Sequence, residues 1–256
     1  MHRAAALSIL ALGGVPMFDE GDDLAEAIAT ALVDNEVQPL PGDIIVLAQK
    51  IVSKVEGRLV ALDNVVPSDL AKKLGDEARK DPRLVELILS ESEEVVRVKP
   101  GVLIVRHRLG LVMANAGIDQ SNVDHAGGAH ALLLPIDPDD SCKKIRAALN
   151  ARFDVDLGVV IIDSLGRAWR NGTAGTAIGV AGIAGLVDLR GRRDVHGRML
   201  ESSELGLADE IAAAASLAMG QADEGRPIVV VRGVTYPRAD GSAAELIRPL
   251  HMDLFR

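Results

Sequence analysis

Three runs of aliphatic residues, each about as long as a β-strand, restrict how this chain can fold. They are IIVLAQKIV at 44–52, LGVVIID at 157–163 and RPIVVVRG at 226–233. A continuous run of this length, rich in Val and Ile, is typical of a strand that is buried within a sheet. Because only 2% of the residues are aromatic, the core around these strands must be aliphatic.

Helical and further strand patterns lie between these runs. Apolar spacing and capping residues predict helices at 20–34, 68–80, 82–93, 137–149 and 204–220, and a short closing helix at 242–250. Further strands are predicted at 5–12, 94–98, 102–107, 109–118 and 175–188, the last of which crosses a turn. The caps are Asp22 or Asp23, Ser68 and Asp81, with Pro82 at a first helical position. Strands and helices do not alternate strictly, so we predict an α+β fold of mixed sheets with flanking helices.

Composition excludes several classes of protein. The 28 basic and 37 acidic residues give a net charge of −9, which argues against a nucleic-acid-binding protein. The one cysteine, Cys142, allows neither an intrachain disulfide nor a cysteine-rich zinc site. No stretch reaches the ~18 apolar residues of a membrane span. The opening MHRAAALSILALGG could pass for a weak signal peptide, but it continues into strand-like pattern, so a cytoplasmic protein is expected.

The stretch ANAGIDQSNVD, residues 114–124, places many polar side chains after an apolar segment. Asp119 at the end of a strand is suited to hold Mg²⁺ or Mn²⁺, which prefer hard oxygen ligands. Asn122 could contact a phosphate or a purine. The alternative is an Asx turn that simply closes the strand.

A second acidic strand end occurs in IIDSLGRAWRNG, residues 161–172. Asp163 and Ser164 follow the most apolar run of the chain, and a carboxylate beside a hydroxyl can ligate two neighbouring hard cations. Arg167 and Arg170 could bind phosphate or carboxylate. The alternative is a helix cap or a structural Asp–Arg pair.

Four other segments could bind anions, nucleotides or metals. Lys50 and Lys54 could grip phosphates, or could belong to a solvated edge strand. The glycines of MGQADEGRP, residues 219–227, could turn backbone N–H groups toward a nucleotide, and its glutamine could ligate a metal, unless this is an ordinary loop. GVPMFDEGDD, residues 14–23, could form a purine wall or a hydrophobic staple. LRGRRDVHGR, residues 189–198, is a basic patch that could receive an anionic substrate or pair with acids across an interface.

Taken together, these segments resemble a known family. From about residue 8 to residue 235, the order of the motifs is similar to that of the coenzyme F-420-0:L-glutamate ligases. The segments that carry the resemblance are GVPMFDEGDDLAEAI, PGDIIVLAQKIVSKVEGRLVAL, ANAGIDQSNV, LLLPIDPDDS, GVVIIDSLGRAWRNG, AIGVAGI, DLRGRRDVHGR and ADEIAAAASLAMG.

The resemblance implies a reaction and its participants. The family attaches L-glutamate to the terminal carboxylate of the deazaflavin precursor F-420-0 at the expense of GTP, through an acyl phosphate, and can add further γ-linked glutamates. Two divalent ions, Mn²⁺ or Mg²⁺, would clamp the phosphates, with K⁺ as a further candidate. The expected partners are GTP, L-glutamate and F-420-0, with no nucleic acid and no membrane.

The resemblance also implies roles for individual residues. Asp119, Asp163 and Lys54 are expected to be catalytic. The metal ligands would be Asp119 and Asp163 at one ion, and Ser164 and Gln221 at the other. The nucleotide-binding residues would be Val15, Pro16, Met17, Phe18, Gln49, Lys54, Asn122, Met219, Gly220, Gln221, Ala222, Asp223, Glu224, Gly225 and Arg226.

The family forms intertwined homodimers of two interleaved subdomains, so residues 1–256 are expected to be one catalytic unit without the C-terminal nitroreductase-like domain of some relatives. Five residues depart from the common pattern: Gln49, Lys50, Ser164, Cys142 and His196. They leave open a ligase of the same mechanism that acts on a modified precursor. A dinucleotide-binding module built on GTAIGVAGIAG, and a non-catalytic dimer scaffold, are the rivals from other classes.

Overall fold

Several sheets and flanking helices make up the fold, as the α+β prediction requires. The computed structural model describes residues 6–120 and 129–253. Within them the strands are β1 (Ser8–Ala11), β2 (Ile44–Ala48), β3 (Leu59–Ala61), β4 (Ser92–Lys99), β5 (Val102–His107), β6 (Val112–Ala114), β7 (His130–Leu132), β8 (Gly158–Gly166), β9 (Thr173–Ala181), β10 (Val187–Asp188), β11 (Glu204–Leu205) and β12 (Ile228–Arg232). The α-helices are α1 (Leu24–Asp34), α2 (Gln49–Val55), α3 (Asp69–Ala78), α4 (Pro82–Ser90), α5 (Pro138–Phe153) and α6 (Leu207–Met219), and short 3-10 turns occupy Leu62–Asn64, Asn115–Gly117, Ala243–Leu246 and Leu250–Met252.

The three aliphatic runs form the middle of a five-stranded sheet with the order β1-β12-β2-β8-β9. β2 and β8 are parallel, whereas the other neighbours are antiparallel. The carboxyl ends of β2 and β8 therefore lie at the same edge of the sheet. β12 runs the opposite way, with Ile228 beside Leu47, so the loop that precedes β12 reaches this same edge.

Both faces of the central sheet are covered, which explains why its strands are continuously apolar. Residues of α1 and α5 pack with Ile45, Leu47 and Ile161 on one face. Residues of α6 pack with Val46 and Val160 on the other. Alternate side chains of one strand thus enter two different cores.

A second layer contains the three-stranded sheet β4-β5-β6 and the strand pair β3-β7. α3 and α4 cover it, and their apolar residues form a third core with Leu103, Val105 and Leu133. The predicted caps at Asp23, Ser68 and Asp81 are confirmed, since each side chain accepts a backbone N–H of its helix. No described helix combines the length and apolarity that crossing a bilayer needs.

Several predicted boundaries were wrong. The helix predicted at 204–220 begins only at Leu207, after β11, and the closing helix predicted at 242–250 is a 3-10 turn at Ala243–Leu246.

The strand predicted at 44–52 stops at Ala48, and Gln49 begins a helix. The pairing with β12 ends there because the carbonyl of Pro227 accepts the Ala48 N–H at 2.9 Å, while Pro227 has no N–H to continue the ladder. The spacing of Ile51, Val52 and Val55 fits one face of a helix as well as a strand. The apolar pattern alone therefore did not distinguish the two.

Two further wrong boundaries lie in the second layer. The helix predicted at 82–93 ends at Ser90, and Ser92 already belongs to β4. The strand predicted at 109–118 is only Val112–Ala114, because Asn115 takes a positive φ of 51° and its side chain accepts the Leu103 N–H at 3.1 Å. The interleaved subdomains and the intertwined homodimer involve a second chain and stay predictions.

A buried ionic cluster joins the second layer to the central sheet. Glu91, which is 8% exposed, forms an ion pair with Arg58 at 2.8 Å and accepts a hydrogen bond from the Nε of Arg108 at 3.0 Å. His107 is fully buried, and its Nδ1 accepts the Leu109 N–H at 3.0 Å. Its proton is therefore on Nε2, which lies 3.5 Å from the Glu91 carboxylate.

The environment of Glu91 has opposing effects on its pKa. Burial alone would raise the pKa, but the N–H groups of His107 and Arg58 beside the carboxylate and the charges of Arg58 and Arg108 outweigh it and lower the pKa to about 2. Because the folded pKa lies below the ordinary value of 4.5, the cluster stabilises the fold above pH 4.5. That contribution is lost as the pH falls toward 2.

We predict that Glu91→Gln lowers the free energy of unfolding by about 3 kcal/mol at pH 7, because Arg58 is left buried without its counter-charge. The difference between wild type and variant should shrink by about 2 kcal/mol between pH 5 and pH 2. Urea unfolding across this pH range measures both. The exposed Glu77→Gln on α3 is the control, and a pH-independent difference for Glu91→Gln would contradict the assignment.

Candidate functional site

A cavity of about 450 Å³ opens at the sheet edge where β2 and β8 end and β12 begins. This volume lies within the range of small-molecule sites. The sheet topology explains its polarity, since the apolar runs stop at this edge and polar residues follow each of them. The residues that line it are Met17, Ala48, Gln49, Lys50, Ile51, Lys54, Ile162, Asp163, Ser164, Ser216, Met219, Gly220, Gln221, Ala222, Asp223, Glu224, Gly225, Arg226 and Pro227.

On one face of β8, two predicted metal ligands come close to a lysine. Lys50 forms an ion pair with Asp119. Burial raises the pKa of Asp163; the Ser164 N–H and the charge of Lys50 oppose this, and the charge of Asp119 adds to it. The negative charges of Asp119 and Asp163 thus both interact with the single ammonium group of Lys50.

Asp119 itself is not among the cavity-lining residues, but backbone pairing fixes its position. Its N–H donates to the Leu132 carbonyl at 3.0 Å, and its carbonyl accepts the Leu132 N–H at 2.8 Å. Leu132 is the last residue of β7, which belongs to the second layer. The ion pair with Lys50 therefore links this layer to α2.

On the other face of β8, two oxygen-bearing side chains meet. The Ser164 hydroxyl donates to the Gln221 Oε1 at 2.7 Å. The Gln221 amide nitrogen donates to the Ser216 hydroxyl at 2.8 Å. Ser216 was missed by the sequence analysis, although it is the one hydroxyl in the alanine-rich stretch of α6 and so could have been noticed.

The two lysines of α2 differ in their surroundings. They are four residues apart and therefore lie on one face of the helix. Lys50 pairs with Asp119, whereas no side chain in the described part of the chain pairs with the half-buried Lys54. The buried Gln49 uses its carbonyl oxygen to accept from Ser53 at 2.8 Å. Lys54 is thus a cation available to an anionic ligand.

The loop between α6 and β12 forms one wall of the cavity. Gly220 has φ 79° and Gly225 has φ 62°, a region that favours glycine. A Cβ at Gly220 would collide with the Glu224 carboxylate. That carboxylate accepts the Ala222 N–H at 2.9 Å, which lowers the pKa of Glu224.

The structure does not bring all predicted nucleotide residues to the cavity. Of the segment 15–18, only Met17 lines it. Phe18 is buried in the core with α1, Val15 packs against that core, and Pro16 lines a separate depression beside α1. Asn122 lies outside the described residues.

Two other candidates lie away from the cavity. The basic segment 189–198 follows β10 and is exposed; there Arg190 pairs with Asp188 and Glu204. Within the described ranges, no three His, Cys, Asp or Glu side chains gather to hold a metal ion. GTAIGVAGIAG begins within β9, which pairs antiparallel with β8, and it does not open a helix as a dinucleotide-binding loop would.

The fold and the cavity define an α+β protein with a cavity at strand ends, lined by carboxylate, hydroxyl and amide oxygens and a lysine. Residues 14–233 match the family model described as F420-0:Gamma-glutamyl ligase. Because this match covers most of the chain, the protein belongs to the F420-0:gamma-glutamyl ligase family, as the resemblance predicted.

Individual relatives are similar in sequence to this chain over nearly their full length. The chain is 46% identical to the coenzyme F420:L-glutamate ligase of Methanothermobacter thermautotrophicus, covering 98% of this chain and 99% of the relative. It is 45% identical to the protein of the same name from Methanopyrus kandleri, over 92% of each chain. For the one from Methanocaldococcus jannaschii the identity is 40%, over 94% of each.

We predict that Gly175→Ala destabilises the protein by about 1 to 3 kcal/mol. A Cβ there would strike the Ala212 carbonyl and lie 2.7 Å from the Ser216 Cβ, which pushes α6 and Gln221 away from β8. Gly166→Ala is the matched control, because nothing lies within 4 Å of its added Cβ, and it should change stability by less than about 0.5 kcal/mol. Urea unfolding measures both, and equal stabilities would contradict the close approach of α6.

Proposed function

We propose that this protein is a GTP-dependent ligase that joins L-glutamate to F-420-0, and can add further γ-linked glutamates, in the biosynthesis of coenzyme F-420. The support is the family membership, together with relatives that are named coenzyme F420:L-glutamate ligases and are covered almost completely. The observation that carries the proposal is the convergence of Asp163, Ser164, Gln221 and Lys54 on one cavity at the sheet edge.

The reaction would proceed in two balanced steps. First, a carboxylate oxygen of F-420-0 bonds to the γ-phosphorus of GTP, the bond to the bridging oxygen breaks, and GDP leaves. Second, the amine of glutamate bonds to the acyl carbon of the resulting acyl phosphate, phosphate leaves with the electron pair of the C–O bond, and the amine loses a proton. Both steps require that the negative charge of the phosphates is neutralised, in a protein whose own net charge is −9.

The nucleotide would lie in the cavity, with its phosphates at Lys54. This lysine lines the cavity without a carboxylate partner among the described residues. Its charge is therefore available to the phosphates. The backbone of residues 219–226 supplies a glycine-containing wall. Met17, which is 80% exposed, provides apolar surface that could cover a base.

Divalent metal ions fit the donor set of the site. Carboxylate, hydroxyl and amide oxygens are the ligands that Mg²⁺ and Mn²⁺ prefer. Asp119 and Asp163 would hold one ion and Ser164 and Gln221 the other, where two oxygens are already 2.7 Å apart. Such ions neutralise the charge that develops on transferred phosphate.

The residues of the chain itself would orient the reactants. Lys50 holds Asp119 toward the sheet edge through their ion pair. Ser216 holds the Gln221 amide, which leaves the carbonyl oxygen of Gln221 directed to Ser164. Both contacts fix oxygen donors before a ligand arrives, which lowers the cost of organising the site.

We predict that the protein, mixed with F-420-0, L-glutamate, GTP and Mg²⁺ or Mn²⁺, yields a product heavier by one or more glutamyl units, measured by mass spectrometry. Asp163→Asn should lower turnover about a hundredfold or more, because it removes a charged ligand of the proposed metal ion that would neutralise the transferred phosphate. The exposed Asp76→Asn on α3 is the control. Absence of product with folded wild type would contradict the proposed function, whereas full turnover by Asp163→Asn would contradict only the metal assignment.

We also predict that Lys54→Met raises the KM for GTP about tenfold or more, because an ammonium–phosphate contact is lost. The KM for L-glutamate should change less than about twofold. Steady-state kinetics with each substrate varied in turn measures this split. The exposed Lys73→Met on α3 is the matched control, and an unchanged KM for GTP would remove Lys54 from the nucleotide site.

A further inference from the structure

We propose that the tip of the β8–β9 hairpin, residues 166–172, binds the deazaflavin ring of the acceptor substrate, with Trp169 as the stacking surface and Arg170 as the cation for its acidic tail. The proposal rests on the proposed function and assigns a substrate-binding role to residues outside the cavity.

The exposure of Trp169 is the first observation. It is the only tryptophan of the chain, and it is 89% exposed with a φ of 63°. The other described aromatic residues, Phe18, Phe153 and Tyr236, are buried or half-buried. A large indole that is displayed in a backbone conformation unfavourable for a non-glycine residue is typical of a surface that binds a ligand.

The charge around Trp169 is the second observation. Arg167 and Arg170 are exposed beside it, and the segment 164–176 contains no acidic residue. Arg167 donates to the Asn171 carbonyl at 3.2 Å. In the described part of the chain no side chain pairs with Arg170. A local excess of positive charge in a chain of net charge −9 favours an anionic ligand at this tip.

The position of the tip is the third observation. Gly166 pairs with Thr173 at the end of the hairpin, three residues beyond Asp163 on the same strand. At ~3.3 Å per residue, the tip begins about 10 Å from the proposed metal ligand. The acceptor carries its ring and its reacting carboxylate at opposite ends of the molecule. With the ring at Trp169, the acidic tail would run past Arg170 and place its terminal carboxylate at Asp163 and Ser164.

Equilibrium dialysis of F-420-0 against wild type, Trp169→Ala, Trp169→Phe and Arg170→Ala tests the proposal. Trp169→Ala and Arg170→Ala should each raise the Kd about tenfold, and Trp169→Phe should raise it less than about threefold because a smaller ring still stacks. GTP binding should not change. The exposed Val195→Ala and Arg152→Ala are matched controls, and thermal unfolding verifies that each variant is folded.

The possible failures are distinguishable. Unchanged F-420-0 binding by Trp169→Ala, in a wild type that makes the glutamylated product, overturns the role of the tip alone. A variant in which only the mass of the oligomer changes, as measured by sedimentation, also overturns it. That result would make the tip a contact between two copies of the chain. Wild type that neither binds F-420-0 nor forms product overturns the proposed function and this inference together.

Discussion

The parallel pairing of β2 with β8 determines where this protein can place polar chemistry. β2 up to Leu47 and β8 up to Ile162 are buried on both faces, so charged groups are excluded there because burying them unpaired is costly. Parallel strands end at the same edge, and their polar residues therefore gather there. The antiparallel β12 brings the loop 219–227 to that edge from the opposite direction.

The pleat of β8 then separates the polar groups into two sets. Asp163 lies on the side of α2, near Lys50 and Asp119. Ser164 lies on the side of α6, where it meets Gln221. Neighbouring residues of a strand point to opposite faces, so one two-residue segment supplies oxygen donors to two separate positions at the edge of one sheet.

The second layer contributes to this edge through contacts that are remote from it. Arg58 lies just beyond α2 and binds Glu91 at the end of α4. Arg58 also donates to the Leu134 carbonyl at 2.9 Å, just after β7, and β7 aligns Asp119 through Leu132. The buried cluster thus sets the distance between α2, which carries both lysines, and Asp119, which forms an isolated β-bridge with Leu132.

Local sequence patterns were sufficient for much of the fold and for naming candidate site residues. The caps at Asp23, Ser68 and Asp81, the strands β4 and β5 and the buried runs followed from spacing and residue type, because these signals depend on neighbours in the chain. Asp163, Ser164, Lys54 and Gln221 could be proposed as site residues for the same reason, since each lies where an apolar element ends.

What the sequence by itself determined was therefore the identity of most elements, the aliphatic core and the candidates for polar chemistry. Only the tertiary structure decided that β2 ends at Ala48, that Lys50 pairs with Asp119, that Phe18 enters the core and that Trp169 remains exposed. These outcomes depend on which strands pair and which faces are covered, and so on contacts between residues far apart in the chain. The periodicity of a single segment carries no information about such contacts.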